Sequence, residues 1–139
     1  MSFPRFAARS MLASMFVTGG LNAAQHAEAI APATEALFAS LPREVTDALP
    51  DLPAAQLTKI NGITMTVAGS ALALGVFPRA AALVLAAQLL PTTLAGHRFW
   101  EKEGSEKVSE RIAFQKNLAL AGGLLLVSLG GASKPKKQA

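Results

Sequence analysis

The chain has two histidines, His26 and His97, and a carboxylate follows each within four residues, Glu28 and Glu101. Imidazoles and carboxylates are the ligands of divalent metals, and a histidine pair can hold a haem. Neither chemistry is fixed by the spacing between the two pairs, and no metal site is expected. A different chemistry is suggested around His97. Thr92 and Thr93 lie just before it, and Thr93 and His97, four residues apart, share a face on a helix. Hydroxyl and imidazole together suit the head of a quinone held against an aromatic wall. The chain contains no cysteine. That excludes disulfides, thiolate metal sites, iron–sulfur ligation and thiol redox chemistry within it. Nucleotide fingerprints, phosphate loops and nucleophile–base pairs are also missing, so the sequence carries no self-contained catalytic centre and no cofactor motif of its own.

The elements that must position these groups follow from where the charges are. Half of the 139 residues are hydrophobic and only 16% are charged, against about 25% in soluble domains. Residues 10–27, 60–78, 80–97 and 117–133 contain no Asp, Glu, Lys or Arg. A helix crossing a bilayer needs about 20 mainly apolar residues, with a lower limit near 17. Four such runs leave too little polar surface for a soluble fold. They lack the period-two alternation of a barrel. The reading is all-α: an integral membrane four-helix bundle, with spans at about 4–25, 54–77, 79–96 and 112–130 and a basic tail at 132–139. The first run also has features of a cleaved leader, with Arg5 and Arg9 ahead of it and a small-x-small site at 27–29. Its length favours an uncleaved span. Gly19 and Ala23, Gly20 and Ala24, and Gly62 and Thr66 are small-xxx-small pairs, where helices can approach closely. The loop at 26–53 holds five acids and four prolines, and short amphipathic helical turns are expected in it at 34–41 and 42–49.

Flanking charge gives an orientation. Arg5 and Arg9 precede the first span and only acids follow it closely. The first helix usually dominates topology, so both termini are expected in the cytoplasm of a cell whose plasma membrane holds the protein. The net charge of +4 gives no support for a nucleic-acid partner; the lipid bilayer is the first partner. Polar groups then collect toward the outer ends of the spans: His26, Asn61, Thr92, Thr93, His97, Gln115, Lys116 and Asn117. Intramembrane polar groups usually face a bundle interior or a cavity, and these residues are the candidate lining of an outward-facing one. Spans also end in polar residues simply because they leave the membrane there. Arg98, Phe99 and Trp100 suit the interface as anchors. Pro91 frees the carbonyl of Ala87, which the Thr92 and Thr93 hydroxyls or a neighbouring helix could compensate.

The string GSALALGVFPRAAALVLAAQLLPTTLAGHRFW, followed by QKNLALAGGLLL, resembles the DoxX family of small four-helix membrane proteins. The first span, RSMLASMFVTGGLNAAQH, is similar to that family's opening helix more loosely. The positions carrying the resemblance are Arg79, Pro91, Thr92, Thr93, His97, Phe99, Trp100, Lys116 and Asn117. The resemblance implies a multi-pass cytoplasmic-membrane protein and a link to membrane oxidoreductase assemblies. The expectation is therefore an accessory subunit of a larger redox or respiratory membrane complex. The alternatives are a quinone-binding oxidoreductase subunit using His97 and a small-solute carrier.

Overall fold

A computed structural model describes residues 3–48 and 50–130. The elements are α1 (Phe3–Gln25), α2 (Ala27–Ala39), α3 (Arg43–Thr46), α4 (Ala54–Leu74), α5 (Pro78–Gly96), a single 3-10 turn (Phe99–Glu101) and α6 (Gly104–Leu129). The architecture is all-α, a bundle of four long helices, α1, α4, α5 and α6. At about 1.5 Å per residue each is roughly 30–40 Å long, the thickness of a hydrocarbon core or more. Pro78–Glu101 and Gly104–Leu129 each contain a stretch long and apolar enough to cross a membrane. Helices α1 and α4 fall below that measure because they are rich in Ser, Thr, Asn, Gln and Gly and carry Arg9 and Lys59.

Those small residues are what bring α1 and α4 together. A methyl group placed on Gly20 would lie 2.6 Å from both the Gly62 carbonyl oxygen and the Thr66 hydroxyl. One placed on Gly62 would lie 2.6 Å from the Ala24 nitrogen and the Gly20 carbonyl oxygen. The two backbones therefore touch, as small-xxx-small pairs permit. Gly69 extends the seam against Val17. Gly19, by contrast, meets only the tip of Met65.

The core joins all four long helices through small and medium side chains. Ala13 and Phe16 of α1, Ala68 and Leu72 of α4, Ala81, Ala82, Leu85 and Ala86 of α5, and Leu124 of α6 are buried together. The large apolar residues lie mostly outside: Phe3, Met11, Val67, Leu83, Leu94, Leu118, Leu126 and Leu129 are exposed. Only Ala121 and Leu124 of α6 are buried.

Helix α4 ends in a Schellman motif. Gly75 adopts a left-handed φ of 76°, its amide donates to Leu72 and the Val76 amide donates to Ala71. Phe77 is also left-handed, at φ 43°, and Pro78 opens α5 at its first position. Gly75→Ala is expected to lower stability by about 1–2 kcal/mol, the cost of a Cβ in this conformation, read as an earlier thermal unfolding transition in detergent.

Two expected boundaries move. Helix α6 begins at Gly104, not near 112. Its first turns are polar and leave the apolar layer, so they are invisible to hydropathy; Glu106 in the first turn suits the positive end of the helix dipole. The loop at 26–53 is mostly α2, thirteen residues long, separated from α1 only by the bend at His26. Pro32 lies inside α2, and the alanine-rich surroundings carry the helix past it. The turn expected at 34–41 is the end of this longer helix. The turn at 42–49 is reduced to α3, and residue 49 lies outside the described residues. The basic tail at 132–139 lies outside them too.

Candidate functional site

Helix α2 folds back over the bundle and lies against α4. The Thr34 and Thr58 hydroxyls meet at 2.5 Å; the Thr58 hydroxyl donates to the Ala54 carbonyl at 2.8 Å and so accepts from Thr34. Beside this contact is an open cleft of about 690 Å³. Ile30, Ala33 and Leu37 of α2 form an apolar wall, and Asn61, Thr92 and Arg98 bring the polar groups. Behind Asn61, the Gln88 side-chain amide donates to the Asn61 side-chain oxygen at 2.9 Å, joining α4 to α5 across the apolar layer. The other end of that glutamine, Oε1, is buried without a hydrogen-bond partner among the described residues. Uncompensated buried acceptors are uncommon and mark places where water or a ligand donor belongs.

The sequence-derived candidates divide among three places. Asn61 and Thr92 share the cleft, with Arg98 at its edge. His26 lies in a separate groove with Glu28, Gln56 and Lys59, its Nδ1 3.1 Å from the Asn22 carbonyl oxygen. His97 and the interface residues form a strap between α5 and α6. Among α6 residues, Gln115 and Lys116 are exposed and Asn117 is half-buried; none of them lines the cleft. The outer-end residues thus do not line one common cavity, because α2 occupies the space between the helix ends. Thr93 is buried and donates to the Leu89 carbonyl. The Thr92 hydroxyl reaches the Gln88 and Leu89 carbonyls, so neither threonine serves the Ala87 carbonyl freed by Pro91.

The strap was only half visible beforehand. His97 Nδ1 lies 2.7 Å from Glu110 Oε2, both side chains being about one-third exposed. Arg98 donates to Glu101 at 3.3 Å. Phe99, Trp100 and Phe114 pack edge-on, with ring centroids 5.2–6.2 Å apart. Glu110 was missed because its helix was expected to start after it, near residue 112, and Phe114, inside the expected span, was given no partner. The signal was there: Glu106, Glu110 and Phe114 recur every four residues, one face of a helix. Lys102 bonds Glu106 at 2.7 Å, and that hydrogen bond, with the carboxylate's charge, holds the lysine above its ordinary value. A raised lysine value stabilises fully below the ordinary value and fades only as pH climbs through the raised one. The strap therefore does not loosen at Lys102 across neutral pH. His97→Ala is expected to leave insertion and folding intact, since the aromatic cluster still ties the segment to α6; carbonate-resistant membrane protein at parental level is the check.

Ser14, Thr18, Thr58, Thr64, Thr66, Thr92, Thr93 and Ser128 each return a hydrogen bond to a carbonyl one turn back. Hydroxyls satisfied inside their own helix, small residues within and large apolar residues without are what lipid demands of a bundle. The protein is a helical membrane protein. The chain belongs to the DoxX family, whose profile matches residues 5–98. It is also similar to the inner membrane protein YphA of Escherichia coli (strain K12), 32% identical over 80 residues, which is 57% of this chain and 57% of that relative's length. No solved structure matches the chain significantly. The matched region holds α1 to α5 and the cleft, and stops at Arg98, before α6.

Proposed function

We propose that the chain is a non-catalytic, four-span subunit of a redox or respiratory membrane assembly, and that it contributes the cleft beneath α2 as a quinone-head site. The carrying observation is the Asn61–Gln88 pair at the base of an apolar-walled cleft. The residue types fit the ligand. The Arg98 guanidinium and the second proton of the Asn61 amide, whose first goes to Met65 Sδ, are donors for a quinone carbonyl, and Ile30 and Leu37 supply the apolar wall; the Thr92 hydroxyl, its proton given to backbone carbonyls, adds only an acceptor. A quinone would supply the electron-carrying chemistry; this chain's residues bind and orient it. The binding residue is then Asn61 rather than His97, whose Nδ1 is engaged by Glu110. Both termini face the cytoplasm in this reading, which puts Arg5, Arg9 and Arg79 on the inner side.

Trp100, the only tryptophan, lies two residues past Arg98 and is the optical probe. Titrating the detergent-purified protein with a short-chain quinone is expected to change its fluorescence saturably, and Asn61→Leu to abolish the change. A native gel of the source membrane is expected to show the chain in a complex far larger than itself. A chain migrating alone, with no saturable quinone response, would sink the proposal. Solute uptake by the protein alone in liposomes would replace it with a carrier.

A further inference from the structure

At the end of the bundle opposite the cleft, the start of α1, the start of α5 and the end of α6 frame another open cavity, of about 450 Å³. Its polar lining is three arginines, Arg5, Arg9 and Arg79; its apolar lining includes Ala8, Leu126 and Val127. Arg5 and Arg9 stand one turn apart, and Arg9 Nε donates to the Arg5 carbonyl at 3.2 Å, which leaves most guanidinium donors uncommitted. Among the described residues none of the three forms an ion pair. All nine acids of the chain lie between positions 28 and 51 or 101 and 110, toward the other end. Three like charges at one mouth repel one another unless an anion lies among them.

We propose that this cavity binds the phosphate of an anionic glycerophospholipid. Guanidinium forks match phosphate oxygens, and basic pockets between membrane helices are the ordinary seat of anionic headgroups. The apolar wall of Leu126 and Val127 suits the first carbons of an acyl chain. The surroundings favour lipid over free phosphate. Phe3, Phe77 and Leu129, each at least 80% exposed, ring the same end of the bundle. Such side chains are at home in acyl chains and not around a water-filled anion site. This inference is independent of the quinone reading, since it concerns different residues at the opposite end.

The test is native mass spectrometry of the full chain from nanodiscs of phosphatidylcholine alone or mixed with phosphatidylglycerol, with inorganic phosphate as competitor. Phosphatidylglycerol is expected to be retained preferentially. Arg9→Gln and Arg79→Gln should each lower its apparent affinity about fivefold, whereas Lys59→Gln and Lys107→Gln, which remove the same charge elsewhere, should not. Equal retention of both lipids, or arginine variants that hold phosphatidylglycerol like the parent, overturns the proposal. Displacement by inorganic phosphate overturns the lipid assignment in favour of free phosphate. Should one arginine variant fail to integrate, Arg5→Gln reads the same site.

Discussion

Gly62→Leu is expected to yield almost no folded protein in the membrane. A side chain at this position meets the Ala24 nitrogen and the Gly20 carbonyl oxygen, backbone atoms of α1 that have nowhere to move. The helices must part, and in lipid close packing is the main force holding them. Overpacking a well-filled seam costs about 1–3 kcal/mol or more, a large share of the roughly 5–15 kcal/mol that keeps a typical domain folded. Gly62→Ala has the same sign and a smaller size. Gly122→Ala is the control: nothing lies within 4 Å of a methyl group there, and replacing a helical glycine gains about 0.5–1 kcal/mol. Membrane-integrated yield and the elution profile in mild detergent separate the three. Parental behaviour of Gly62→Leu would show that α1 and α4 do not meet backbone to backbone.

The second large effect is a reversal on double substitution. Asn61→Leu removes the partner of the Gln88 amide, whose Oε1 already has none among the described residues. Gln88→Leu strands the Asn61 oxygen in the same way. Each change is expected to cost about 1–3 kcal/mol, the penalty of an unpaired polar group in an apolar layer. Replacing both by leucine leaves nothing unpaired, so thermal stability should return close to that of the parent. Quinone-dependent fluorescence should not return with it. A double variant less stable than either single one would refute the pairing; one that still responds to quinone would refute the site.

The parts of the fold written in composition were legible in advance. Charge-free runs of membrane length located the four long helices, Phe77-Pro78-Arg79 marked the tight hairpin, and Gly20, Ala24, Gly62 and Thr66 announced the closest seam. What escaped was polar helix. Hydropathy ends where the lipid ends, while backbone hydrogen bonding continues, so the first eight residues of α6 looked like loop. Glu110, the partner of His97, therefore stood in a segment with no assigned geometry. Helix α2 was hidden by Pro32, which signals a break but sits where neighbouring alanines tolerate it. The candidate site suffered most from this. Asn61 and Thr92 were grouped with the other polar residues by depth alone; that α2 packs on α4 beside them, with a tertiary contact between Thr34 and Thr58, is not encoded in spacing.

The bundle is not equally stiff in all directions. Helices α1 and α4 meet main chain against main chain at Gly20 and Gly62, while α4 meets α5 through alanines and leucines whose rotamers and separations can yield. Breathing should therefore begin along the α4–α5 line, with α1 and α4 travelling as one unit and α5 and α6 as the other. Since Asn61 and Gln88 face each other across that line, the amides flanking them should exchange with deuterium sooner than those around Gly20 and Gly62.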